Sequence, residues 1–135
     1  MNRMTPFDMV GGEPAVRAIV DRFYDLMDED PAYRELRALH ATDLDPMRHS
    51  LSGFLTAWLG GPRDWFVDNP GKCVMSLHGA IAVNAQTAQQ WADAMQRAIV
   101  EHGAAQGLDA DFSTKMADAL RNMASAMIRK ERVPA

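Results

Sequence analysis

An imidazole whose neighbours are Val74, Met75, Leu77 and Ile81 has no evident partner for proton transfer. That is the setting of His78 in the stretch V74-M-S-L-H-G-A-I81. The nearest acidic residues are Asp68, ten positions before it, and Asp93, fifteen after. A general base needs a second group in hydrogen-bond reach to orient its ring, and none is local. Two chemistries stay open. His78 is either a core histidine satisfied by backbone groups or a ligand to something apolar and metallic.

The other chemistry-bearing residues narrow the field. The histidines at 40, 49, 78 and 102 form no HxxxH or ExxH pair, and no CxxC exists, so a structural zinc site is not expected. Di-iron bundles use Glu-x-x-His, whereas Glu101-His102 is adjacent. Cys73 and His78 lie five residues apart, which a helix would turn to different faces, so a thiol–imidazole pair is weak. His49 and His102 read as surface residues, the latter near a helix end that suits a cation. What remains is one imidazole in apolar surroundings, the aromatic pair Phe23-Tyr24 early in the chain, and Trp91 late. That inventory suits a large flat cofactor held by one histidine, since haem iron takes a proximal imidazole and polar groups across the ring select the ligand.

The elements that position these residues are helices. No strand of any length is signalled. Thr5-Pro6 opens a short helix that stops at Gly11-Gly12, and Pro14 sits in the first turn of the next. Val16, Ile19, Val20, Phe23, Tyr24 and Met27 then follow one helical face. Asp30-Pro31 breaks that helix and begins a short one through Leu36 and Leu39. A helix from about Asp45 carries Met47, Leu51, Phe54, Leu55 and Trp58, and Gly60-Gly61-Pro62 ends it. An irregular stretch from Arg63 to Gly71 follows, and His78 lies on a short helix after it. Asn84 or Thr87 caps a long helix with Trp91, Met95 and Ile99 on one face, closed by Gly103 and Gly107. The last helix runs from about Asp109, with Phe112, Met116, Leu120, Met123 and Met127 inward. The expected class is all-α, with five substantial helices or so.

Composition sets outer limits. The chain has 135 residues, enough for one domain with its own core, here taken as 1–135. A net charge of −4 argues against nucleic acid or an anionic membrane surface as partner. No apolar run approaches the roughly 20 residues of a membrane span, and the first residues show no signal peptide. The single cysteine, Cys73, cannot close an internal disulfide, which fits a cytoplasmic setting. Ten methionines is a high count, and such a core can be shaped around something other than side chains.

Taken in order, Gly11-Gly12, Phe23-Tyr24, Phe54-Leu55, Gly60-Gly61-Pro62-Arg63, His78 and Trp91 thirteen residues beyond it resemble the truncated haemoglobins, specifically group II of that family. The resemblance covers nearly the whole chain. It implies a truncated globin-like two-over-two helical sandwich around haem b. On it, His78 is the axial iron ligand, Tyr24 the distal hydrogen-bond donor and Trp91 the indole donor typical of the group. His40 or Leu39 fills the third distal position. Phe23, Leu51 and Phe54 line the pocket with Val74, Leu77 and Ile81, and Met47 stands at the distal gate.

Three departures from the family pattern stand out. Basic residues that often precede the proximal histidine and pair with haem propionates are Cys73, Met75 and Leu77 here, leaving Arg63 and Lys72 as candidate anchors. The aromatic usually found three residues past the ligand is Ile81, and the usually small gate is Met47. The function implied is reversible binding of oxygen or another diatomic gas (NO or CO) at a pentacoordinate iron. Two other readings stay open: a haem peroxidase or nitric oxide dioxygenase drawing on an external reductase, and a haem-free globin-like sensor or interaction module. A monomer and a homodimer both fit the sequence.

Overall fold

A computed structural model describes residues 5–64 and 84–126. Among them the chain forms α1 (Pro6–Val10), α2 (Gly12–Glu29), a 3-10 turn (Pro31–Tyr33), α3 (Arg34–Ala38), α4 (Asp45–Trp58), α5 (Ala85–Gln106) and α6 (Ala110–Ala126). His78, Lys72, Val74, Leu77 and Ile81 lie outside the described residues.

The helix starts follow local chemistry. Thr5 caps α1 reciprocally with Asp8: the Thr5 hydroxyl accepts from the Asp8 N–H, and the Asp8 carboxylate accepts from the Thr5 N–H, both at 3.2 Å. Gly11 ends α1 at φ +115°, in the left-handed region, and a Cβ there would come within 3.0 Å of the Ala15 Cβ. The chain can therefore fold α2 directly back from α1. At the far end of α2, Asp30 is extended, as the residue before Pro31 must be. Its carboxylate accepts from the Ala32 N–H at 2.9 Å and so caps the 3-10 turn. Asn84 caps α5: its side-chain oxygen accepts from the Thr87 N–H at 2.8 Å, and its own N–H donates to the Thr87 hydroxyl at 3.1 Å.

Gly107, at φ +69°, closes α5. Gly103 does not, contrary to the sequence expectation. It sits buried inside α5, where a Cβ would lie 2.7 Å from the Ser113 hydroxyl. Its role is to let α6 approach α5, and the glycine signal reads as packing rather than termination.

Two helix pairs make the sandwich. Among the described helices the α5–α6 pair shares the most extensive interface, and α2 packs on both α4 and α5. α2 is the central element. Ala15, Val16, Ile19, Val20, Phe23, Tyr24, Leu26 and Met27 are all buried along it, a wider arc than one neighbour could cover. The core continues through Leu55 of α4, Met95 and Ile99 of α5, and Leu120 of α6. α1 docks across the end of α4, where the Phe7 N–H donates to the Leu59 carbonyl at 2.9 Å. A Cβ on Gly61 would strike the Phe7 ring at 2.7 Å, so a glycine belongs there. α4 and α5 both lean on α2 but are not closely packed on each other.

Candidate functional site

The aromatic residues singled out in the sequence gather around α2. Phe23, fully buried on α2, is the hub. Its ring meets Tyr24 edge-on at 4.8 Å and 69°, and Trp91 of α5 edge-on at 5.4 Å and 65°. Tyr24 in turn meets His40, which follows α3, at 6.0 Å and 77°. Trp91, Phe23, Tyr24 and His40 thus form one continuous row of edge contacts drawn from three separate elements. Such edge-to-face geometry is the preferred one for rings with opposed quadrupoles.

Tyr24 is 2% exposed. Burial pushes its phenol well above the usual tyrosine range, with the Arg48 guanidinium pulling weakly the other way. Tyr24 is a neutral O–H donor at any physiological pH.

His40 is oriented differently. Its Nδ1 lies 2.9 Å from the Leu36 carbonyl oxygen, which can only accept. Nδ1 therefore carries the proton, and in the neutral ring Nε2 is an acceptor. His40 donates through both nitrogens only as the imidazolium. Leu39 is half-buried at the end of α3, and the ring contact to Tyr24 belongs to His40.

α3 is itself held in place from α5. The Leu36 N–H donates to the Gln90 side-chain oxygen at 3.0 Å, next to Trp91 in sequence. The Tyr33 hydroxyl donates to Asp93 at 2.7 Å, and Arg97 donates to the Tyr33 oxygen at 3.0 Å and to Asp30 at 2.9 Å. Positions of His40 and Trp91 are thereby coupled through short polar links.

α4 supplies the apolar wall. Of its apolar residues Met47, Leu51, Phe54 and Leu55, only Leu55 is fully buried. Met47, Leu51 and Phe54, spaced along one face, are half-buried while packed on the core, as is Trp91 opposite. A half-buried apolar face packed on the same core as a buried, neutral donor fits a flat apolar group carrying a polar ligand. The residues present suit haem. Arg63 is exposed just beyond Gly60-Gly61-Pro62, at the end of α4.

Sequence reasoning missed two features. Arg48, on α4, lies against Tyr24 with its guanidinium carbon 5.7 Å from the ring centroid. It was passed over because a lone arginine beside a surface histidine gives no apolar signal; Asp21 and Asp25 one turn apart on α2 were the available hint. His102, expected at the surface, has its Nε2 buried with no hydrogen-bond partner among the described residues. Only His49 of that pair is exposed.

Comparisons with known proteins agree with this geometry. Residues 5–128 match the family model described as bacterial-like globin. A group 1 truncated haemoglobin from Nostoc commune is 27% identical over 126 residues, covering 93% of this chain and 98% of the relative. Among solved structures, a cold-adapted truncated haemoglobin from the Antarctic marine bacterium Pseudoalteromonas haloplanktis superposes with a TM-score of 0.87 at 26% identity, covering 95% of this chain and 100% of the other. A group II 2-on-2 haemoglobin from Agrobacterium tumefaciens also gives a TM-score of 0.87, at 25% identity, with 97% and 98% covered.

Proposed function

Since the chain belongs to the bacterial-like globin family, and within it to the truncated haemoglobins, we propose that it carries haem b on His78 and holds oxygen against Tyr24, Trp91 and His40. As a globin it binds haem, and its ligand class is the diatomic gases. The observation that carries the finer reading is Tyr24: buried, neutral, and part of the core against which the half-buried Met47, Leu51 and Phe54 pack.

Haem, when bound, supplies an iron with an open position for a diatomic gas. The rest is done by this chain. Tyr24 offers a hydrogen bond in a site from which water is largely excluded, where such a bond gains strength. Trp91, half-buried and braced by Phe23, offers its indole N–H, which can only donate. Neutral His40, its ring edge-on to Tyr24, has Nε2 as an acceptor, and protonation converts it to a second donor. Trp91 in this position supports placement in group II, although the curated relatives are of group 1. The lone Cys73 supports a reducing, cytoplasmic setting. Among the described residues no helix is long and apolar enough to cross a membrane.

The test is spectroscopic. The purified protein loaded with haem is expected to give a Soret band, and His78→Ala to shift or lose it. An unchanged spectrum in the variant removes His78 as the iron ligand.

A further inference from the structure

Haem binding gives no role to Arg48, which is anchored by three hydrogen bonds beside Tyr24. One of its terminal nitrogens donates to the Asp21 carbonyl at 3.0 Å and to the Asp21 carboxylate at 3.1 Å. The other donates to the Asp25 carboxylate at 2.8 Å. Asp21 and Asp25 lie four residues apart on α2, with Tyr24 between them, so all three project from one side of that helix. Arg17 braces Asp21 in turn, at 3.0 Å. The arginine side chain is only 16% exposed, against 41% and 46% for its two carboxylates. The anions thus cover the cation, and the cation covers the tyrosine ring.

We propose that Arg48 is a positioning residue for the pocket tyrosine: the guanidinium, pinned by Asp21 and Asp25, holds the Tyr24 ring in register and strengthens its hydroxyl as a donor. The proposal rests on the reading that Tyr24 donates to the pocket ligand.

Two physical effects act together. A cation over an aromatic face draws electron density from it, and a phenol so depleted is a stronger donor. This is the same sense in which Arg48 opposes the effect of burial on Tyr24. The second effect is steric. Tyr24 has Phe23 on one side and His40 on another, and Arg48 adds a third contact from α4. Only a planar fork can hold two carboxylates and a main-chain carbonyl while lying over a ring, so lysine is not equivalent here. Partly exposed ion pairs contribute little to folding, so the consequence belongs at the ligand.

The C–O stretching band of the carbon monoxide complex reports the field at the ligand, and positive potential lowers its frequency. It is to be recorded, with oxygen dissociation rates, for the haem-loaded parent, Arg48→Met, Arg48→Lys, Asp25→Asn, Tyr24→Phe and the Arg48→Met/Tyr24→Phe double variant. Arg48→Met and Arg48→Lys are both expected to move the band part of the way toward its Tyr24→Phe position. Oxygen release should quicken roughly two- to tenfold in both, the span of a cation–π contact. Asp25→Asn, which removes one anchor at a partly exposed site, should shift the band less and in the same direction. It keeps the question answerable if Arg48 variants fold poorly. The double variant should match Tyr24→Phe alone. A band unmoved by Arg48→Met and Asp25→Asn, while Tyr24→Phe moves it, overturns the role of Arg48 and leaves Tyr24 as donor. So does full rescue by lysine, or an equal Arg48→Met shift without the Tyr24 hydroxyl. A band unmoved by Tyr24→Phe overturns the reading of Tyr24 itself, and the role of Arg48 with it.

Discussion

The Trp91 indole meets the Phe23 ring edge-on at a centroid distance of 5.4 Å, although one residue lies on α5 and the other on α2. The contact is one of several that join the two long helices, which also share the Arg22–Glu101 ion pair. It also sets where the indole N–H can point, because Trp91 is half-buried and Phe23 does not move without disturbing the core.

Phe23→Ala is therefore expected to cost about 3–5 kcal/mol of stability, the range for truncating a fully buried aromatic ring. Phe23→Leu keeps most of the volume and should cost less, about 1–2 kcal/mol, while removing both edge contacts. Thermal or urea unfolding of the two variants gives the stability change. If the hub account holds, Phe23→Leu also loosens Trp91, visible as altered tryptophan fluorescence. A Phe23→Leu protein that releases oxygen like the parent would show that Trp91 is positioned by other contacts.

Much of this architecture was legible in local chemistry. Thr5-Pro6, Asp30-Pro31, Pro46 and Asn84 mark helix starts by capping and ring constraints that act within a few residues. The apolar spacing on α2 likewise announces its buried arc. What escaped were relationships between elements. Arg48 is charged, and along α4 alone it reads as solvated; only the approach of α2 turns it toward Tyr24. The proton on His40 Nδ1 depends on a carbonyl one turn earlier on α3, and α3 is placed by Gln90 of α5. Gly103 looked like a helix end because glycine marks both termination and close approach, and Ser113 decides between them. The expected axial ligand His78, Lys72 as one of two candidate propionate anchors, and the expected lining residues Val74, Leu77 and Ile81 lie outside the described residues.

Acid should weaken the link that places α3. The backbone N–H of Ala32, and then Arg97, hold the Asp30 carboxyl below the usual carboxylate range. Arg22 does the same to Glu101. A folded pKa below the unfolded one means the unfolded chain binds protons more readily, so this stabilisation is complete above the ordinary carboxylate range. It is lost as pH falls through the depressed folded values. Asp30→Asn keeps a capping side chain and removes the charge. Melting temperatures followed from about pH 7 down to about pH 3 should fall less steeply in Asp30→Asn than in the parent. Parallel curves would assign the acid limb to other carboxylates.

Ligand release offers the most direct reading of the pocket. If Tyr24 and Trp91 both donate to bound oxygen, dissociation is slow and each deletion speeds it. A hydrogen bond to a charged group contributes about 1.5–3 kcal/mol, so Tyr24→Phe and Trp91→Phe should each raise the off-rate roughly ten- to a hundredfold. Carbon monoxide carries little charge on its outer atom, so its release should change far less. Both donors serve one ligand and both touch Phe23, so their effects are not expected to add in the double variant. Stopped-flow measurement of both gases on the four proteins separates polarity from access. Equal acceleration of oxygen and carbon monoxide would mean that the substitutions opened an exit path, and the donors would then have no part in holding the ligand.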